Sequence, residues 1–363
     1  MTNFEKWEQA FRNQNLFVFN QNENALLWLK VRAVSRNKLI KQFLEENKIK
    51  LTSTKISERN VELFNLLAEK PDAMRLIDSY LRVKNHEWYQ EKGVDETQLK
   101  EDLYKIQHYV WGGNQNNSLD KHLVSRYVKV ISCYDELVSR QGEIAENAWN
   151  YVQTSWYNNW TSYLIEALFK QHERVVSAVG EIKSVDFFIG GYPIDLKVTF
   201  FPQEYMDRKL KSKLGKKELS WLKQQAKEKG INVVGTSFTE AQQVYMLTEK
   251  LSELGHTDIL ETLKNKRREV VNEAQATPME LMTWLYSNQG EMRFGAENRL
   301  FVILMNATDM SQSWKMKRAF SLIEPKIRKY LDRFDNNTLK EVNFTYKNND
   351  YQSLADTIFI VKE

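Results

Sequence analysis

The 363 residues carry a formal net charge of +4, with 28% charged and 42% hydrophobic residues and a single cysteine, Cys133. This composition can build sizeable cores, contains no apolar run near the roughly 20 residues that cross a bilayer, and allows no intrachain disulfide, which favours a reducing, cytoplasmic setting. One cysteine and five scattered histidines exclude a structural zinc finger, and no Walker A lysine motif is present.

The opening stretch, MTNFEKWEQAFRNQ, lacks the basic-then-apolar order of a signal peptide. With 13 Gly and 5 Pro in the whole chain, helices are favoured. Residues 1–150 read as one helix after another. Their apolar sets are Phe19, Leu26, Leu27 and Leu29, then Leu39, Ile40 and Phe43, then Val61, Leu63, Phe64, Leu66 and Leu67 near helical spacing. Gly112-Gly113-Asn114-Gln115-Asn116-Asn117 is a loop by composition. A long helix over 146–172 carries Trp149, Tyr151, Trp156, Tyr157, Trp160 and Tyr163. These rings could stack on bases, but at helical spacing they more often pack in a core or interface.

Strand signals begin only after this helix. Val175–Val179, Val185–Ile189 and Ile194–Phe201 read as three strands, and Ile231–Val234 as a short one. Helices follow over 239–288, then a buried strand at Leu300–Met305, a Lys/Arg-rich helix near 313–333 and an outer strand at Thr357–Val361. The expected fold is α/β: an all-α domain over 1–150, then a mixed sheet flanked by helices over 151–363.

Between Asp207 and Lys229 there are nine Lys or Arg residues against three acids. Lys209, Lys211, Lys213, Lys216 and Lys217 are therefore candidates for phosphate contact, weighed against an ordinary solvated helix face. A second cluster comprises Lys264, Lys266, Arg267 and Arg268. The segment Arg293-Phe294-Gly295-Ala296-Glu297-Asn298-Arg299 precedes the Leu300 strand. It could offer Arg293 to substrate phosphates or tie itself together through Arg–Glu pairs. Lys315, Lys317 and Arg318 pose the same question on the following helix.

The chemistry is concentrated in Ser184-Val185-Asp186-Phe187-Phe188-Ile189-Gly190-Gly191-Tyr192-Pro193-Ile194-Asp195-Leu196-Lys197. A Gly-Gly pair between strands signals a two-residue hairpin turn, because both central positions tolerate positive φ. Residues whose numbers sum to 381 then oppose each other, which sets Asp186 against Asp195. Lys197, two residues on, shares their face, and Val185, Phe187, Ile189, Ile194, Leu196 and Val198 form the other. Like charges directly opposed destabilise a sheet, so the pair calls for a cation, and a hard divalent ion such as Mg²⁺ suits carboxylate oxygens. The bland alternative is a lysine that simply neutralises one aspartate.

This segment resembles the PD-(D/E)XK nuclease superfamily, with Asp186 as the first acid, preceded by Val185 rather than Pro, and Asp195-Leu196-Lys197 as the second element. Acid-any-Lys occurs at Glu46, Glu181, Asp195, Asp207 and Glu324, but only Asp195 lies in an apolar strand with an aspartate in register across a Gly-Gly turn. The resemblance implies a core of helix, three antiparallel strands, helix and strand. It also implies Mg²⁺-dependent cleavage of double-stranded DNA, with Mn²⁺ able to substitute, in a bacterial restriction or anti-phage defence setting, and a homodimer or a defence partner protein. It adds a glutamate from the helix before the first strand, matched by Glu166, which sits toward the polar side of that helix. Glu181 and Lys183 are lesser candidates at the site margin. Two rivals remain open: a catalytically inactive nucleic-acid- or partner-binding module with a nuclease-like fold, and an RNase effector.

Overall fold

Strand side chains alternate between two faces, and here both faces of most strands are apolar, so the sheet must be covered by helices on each side. The computed structural model describes residues 2–20, 22–34, 37–110, 118–182, 184–232, 239–288 and 297–362. Its strands are β1 (Val175–Ile182), β2 (Val185–Ile189), β3 (Tyr192–Phe200), β4 (Arg299–Asn306), β5 (Lys340–Tyr346) and β6 (Asn349–Lys362). They form one mixed sheet in the order β1-β2-β3-β4-β6-β5. The first three make an antiparallel meander, β3, β4 and β6 run parallel, and β5 returns antiparallel on β6.

Before the sheet come α1 (Asn3–Arg12), α2 (Glu23–Val34), α3 (Asn37–Glu46), α4 (Ile56–Ala68), α5 (Ala73–Lys92), α6 (Glu96–Leu103), α7 (Leu119–Leu123), α8 (Tyr134–Ser139) and α9 (Gln141–Lys170). Between β3 and β4 lie α10 (Gln203–Leu214), α11 (Glu218–Glu228), α12 (Glu240–Glu253), α13 (Thr257–Ala276) and α14 (Met279–Ser287). A 3-10 stretch, Met310–Arg318, and α15 (Phe320–Arg333) separate β4 from β5. Local chemistry sets several of these ends. Thr2 with Glu5, and Thr239 with Gln242, close capping boxes at the starts of α1 and α12, and the Asp95 carboxylate caps α6.

Three cores follow from the alternation. On the first face, Val176, Ala178, Ile182 and Phe188 pack with Trp28, Phe43, Phe64 and Ile77 of the N-terminal helices. Val185, expected beside Phe187 on the other face, joins this core instead, because regular β2–β3 pairing ends at Phe187. On the second face, Phe187, Ile189, Ile194, Leu300, Val302, Leu304, Ile358 and Ile360 meet α9 and α15. At the far end of the first face, Phe301, Ile303, Met305, Val342 and Phe344 meet the helices α10 to α14. The N-terminal helices thus share their core with β1 and β2, and residue 150 falls inside the continuous helix α9.

The architecture is α/β with a helical N-terminal region, and two strand expectations need correction. The C-terminal strand is not at the edge: β6 lies between β4 and β5 and runs from Asn349. β5 went unread because only Val342 and Phe344 of its seven residues are buried, a pattern of edge strands with little apolar signal. Ile231 joins no strand, and Val233 and Val234 lie outside the described residues, as does the Gly112–Asn117 loop.

The β2–β3 turn is clamped. Gly190 and Gly191 have φ of +55° and +87°, the two positive values of a type I′ hairpin. A Cβ on Gly190 would lie 3.1 Å from the Phe334 ring, and one on Gly191 would lie 3.5 Å from Leu26. Gly190→Ala should therefore lose about 1–2 kcal/mol to left-handed strain and more to the contact with Phe334. Gly93→Ala, at φ +59° with nothing within 4 Å, should lose only the strain. Thermal unfolding of the two variants checks this, and equal losses would contradict the clamp.

Candidate active site

The turn fixes the register on which the site depends. Ile189 pairs with Tyr192, Phe188 with Pro193 and Phe187 with Ile194, so each pair sums to 381 and the next positions are Asp186 and Asp195. Past Phe187 and Ile194 the ladder opens. In a regular hairpin the Leu196 N–H would donate to the β2 backbone, but it donates to Asp186 Oδ2 at 2.8 Å. The Asp186 carboxylate thereby replaces a rung of the ladder. On the other side the Asp195 N–H donates to the Asn298 carbonyl at 2.8 Å. Asn298 also donates to the Pro193 carbonyl and accepts from the Leu354 N–H, tying β3, β4 and β6 together beside the site.

Ile194, Leu196 and Val198 point into the core of the second face, so alternation puts Asp195 and Lys197 on the first. They sit between the N-terminal helices and the α10–α14 wall. Lys197 Nζ donates to Asp195 Oδ1 at 3.0 Å. In the parallel register Asp195 is the partner of Arg299, whose Nε donates to Asp195 Oδ2 at 3.2 Å. Arg299 also bonds Glu297 at 2.9 Å and lies over the Tyr286 ring. The Glu297 carbonyl accepts from Tyr286 OH and Ser353 Oγ. Glu166 of α9 pairs with Lys170, one turn on, at 2.6 Å.

The electrostatics show how closely these groups feel one another. Burial pushes the Asp186 carboxyl up to about 6, and the charges of Asp195 and Glu166 push the same way. The Leu196 N–H and Lys170 oppose them. Asp195, 8% exposed, is raised by burial and, to a lesser extent, by Glu297, while Lys197 and Arg299 hold it down. Asp186, Asp195, Lys197 and Glu166 thus belong to one electrostatic group. Among the described residues no three His, Cys, Asp or Glu side chains form a metal-sized cluster, so Asp186, Asp195 and Glu166 are not brought together as the expected ligand trio, and Glu166 is engaged by Lys170.

The basic candidates fare differently. Lys209 pairs with Glu280, and Lys213 with Glu273 and Glu269, so these two cross-link helices of the wall. Lys211, Lys216 and Lys217 are exposed. Lys217 also borders a cavity of about 640 Å³ among α10–α13, whose wall includes the buried Glu218–Arg267 ion pair. Arg293 and Lys183 lie outside the described residues, as does the side chain of Glu181. For Arg299 the Arg–Glu alternative is what the structure shows. Of the aromatic helix, Tyr157 and Tyr163 are core residues and Trp149 is exposed.

What went unread in the sequence is that Arg299 reaches Asp195 and that Lys170 engages Glu166. Arg299 stands at the start of a strand whose pairing with β3 no local pattern announces. Lys170, four residues after Glu166, was legible as a helical ion pair. Comparison with protein-family models, with curated proteins and with solved structures finds no match to this chain.

The raised Asp186 carboxyl has a pH signature. It titrates near 6 in the folded chain and near 3.9 unfolded. Below about pH 4 it is protonated in both states and costs nothing; from there to pH 6 the unfolded chain gains stability by ionising first, and above 6 the full penalty stands. Asp186→Asn keeps an oxygen for the Leu196 N–H. Without divalent ions it should match the wild type at pH 4 and exceed it at pH 8 by about 2–3 kcal/mol at most. Urea unfolding in chelator checks this, and a variant less stable at pH 8 than the wild type would contradict it.

Proposed function

We propose that this chain is a divalent-metal-dependent endonuclease of the PD-(D/E)XK type that hydrolyses DNA phosphodiester bonds. One observation carries the reading: the Gly190-Gly191 hairpin sets a register whose next positions after Phe187 and Ile194 are Asp186 and Asp195, the two carboxylates feel each other's charge, and Lys197 follows two residues on. The element order supports it. Helix α9, the antiparallel strands β1–β3, intervening helices and then β4 follow the core order of that superfamily, and Glu166 extends from the helix before β1 as the pattern asks.

The donor set suits Mg²⁺, which accepts one or two carboxylates and completes its shell with water and phosphate oxygens. Mn²⁺ would substitute. Such an ion would polarise a phosphate oxygen and lower the pKa of a bound water. The chain's own groups do the rest. Leu196 N–H fixes one Asp186 oxygen, which aims the carboxylate. Arg299 and Asn298 fix Asp195 and the strand that bears it. The half-exposed Lys197 gives one N–H to Asp195 and, among the described residues, has two left to orient a water or to meet charge developing on the phosphate. With one such site per chain, cutting both strands of a duplex would favour a homodimer. The restriction or anti-phage setting, and with it a cytoplasmic location and a defence partner, rests on the resemblance alone.

A second reading has a specific observation behind it. Both oxygens of Asp195 already bond cationic side chains of the chain, Lys197 and Arg299. An ion-pair network complete in itself is what a non-catalytic DNA- or partner-binding module would keep. Incubating plasmid DNA with Mg²⁺, Mn²⁺ or chelator separates the two. The nuclease reading expects metal-dependent cutting that falls at least 100-fold in Asp195→Ala and Lys197→Ala, in line with losses on removing one charge-stabilising group. Glu166→Gln should lose roughly 10-fold or more, as supporting groups at metal sites do. Intact plasmid with DNA still bound would establish the module instead, and cleavage confined to RNA in the same assay would point to an RNase.

A further inference from the structure

Lys317 is a half-buried amine that the proposed chemistry does not use. It closes the 3-10 stretch on the second face, and its Nζ lies 5.4 Å from the centre of the Phe200 ring. Phe200 is five residues beyond Asp195 on β3 and faces the opposite side, so the two places are about 16 Å apart along the strand and separated by the sheet. Trp314 is stacked on Tyr109 at 5.3 Å, and Tyr157 of α9 holds the Trp314 carbonyl. The amine thus sits beside a rigid aromatic wall.

Its bonding is incomplete. Among the described residues Lys317 pairs with no carboxylate; Nζ donates only to Asn158 Oδ1, at 2.7 Å. The same oxygen accepts from Tyr109 OH at 2.7 Å. An ammonium can only donate, so the Asn158 oxygen must face Lys317 and Tyr109, which leaves the amide Nδ2 pointing elsewhere. No described residue accepts from that nitrogen. Because Oδ1 and Nδ2 share one carbon, Nδ2 and the Lys317 Nζ are within about 5 Å of each other, close enough to reach two oxygens of one tetrahedral oxyanion. The neighbouring Arg318 is not available, since it donates to the Leu103 and Ile106 carbonyls.

We propose that Lys317 and the Asn158 amide form an oxyanion site for a phosphate group, either free or carried on a nucleic-acid backbone. A charge half-buried without a counter-charge is costly, and an arriving phosphate supplies both the negative charge and the acceptors that these donors lack. Consistent with this, burial alone pulls the Lys317 amine down to about 8, and a bound anion would raise it again. The site is independent of the nuclease reading, because it shares no residue with the carboxylates.

Competitive acylation of the full chain, read residue by residue by mass spectrometry, tests the proposal. Burial lowers the Lys317 amine to about 8, so at pH 8 a large share of it is neutral and open to acylation; the exposed Lys55 serves as the reference. Millimolar inorganic phosphate should slow labelling of Lys317 at least five-fold and leave Lys55 unchanged. A short DNA duplex forms the second arm: protection by duplex but not by phosphate assigns the site to a backbone phosphate, and protection by phosphate alone assigns it to a free one. Asn158→Asp keeps both acceptor contacts but places a carboxylate where the anion would bind. It should abolish protection, and Lys317→Met should abolish any phosphate-dependent rise in melting temperature. The proposal is overturned if neither probe protects Lys317, or if protection survives in Asn158→Asp.

Discussion

The two-residue turn at Gly190 and Gly191 sets the geometry of the whole candidate site. A type I′ turn admits one register, and that register, paired as far as Phe187 and Ile194, brings the two aspartates to the next positions on β2 and β3. A one-residue slip would send Asp195 and Lys197 to the apolar second face and bring Leu196 out of it. The fold guards against the slip from both sides. Phe334 presses on Gly190, and Leu26, from the N-terminal helices, lies over Gly191. The helices that precede the sheet therefore help to hold the turn as well as covering β1 and β2.

Opposing two carboxylates in a largely dry place creates a charge problem, and the chain answers part of it. Asp195 is met by Lys197 and Arg299, and Glu166 by Lys170. Among the described residues Asp186 receives the Leu196 N–H and the more distant influence of Lys170, and its carboxyl is raised to about 6; Asp195 is raised too, with Lys197 and Arg299 opposing the shift. Perturbed carboxyls of this kind cluster at functional sites. The imbalance falls on the residue at the opening of the β2–β3 ladder, just past the last pair, Phe187 and Ile194. Arg299 complicates the picture, because an ion binding Asp195 would have to share that carboxylate with a guanidinium.

Local pattern made the hairpin legible. Alternation marks most of the two faces, the Gly-Gly pair marks the turn, and the register it implies places Asp186 and Asp195 just past the last pair, Phe187 and Ile194. The strand Leu300–Met305 was equally plain, because it is apolar on both faces, as interior parallel strands are. What stayed hidden depends on contacts between distant segments. Arg299 reaches Asp195 through a parallel pairing with about one hundred residues between its partners, and Lys209 and Lys213 looked free until α13 and α14 brought Glu273 and Glu280 to them. β5 carries too few apolar residues to announce itself, and its absence from the reading made β6 look like an edge.

The most direct test is a crystal of the wild-type chain soaked in Mn²⁺, examined for anomalous scattering. The account predicts a peak within about 2.0–2.3 Å of oxygens from both Asp186 and Asp195, completed by waters, with the Leu196 N–H still on Asp186. A map with no peak there, and Asp195 still closed on Lys197 and Arg299, would show the carboxylates to be a structural ion-pair network.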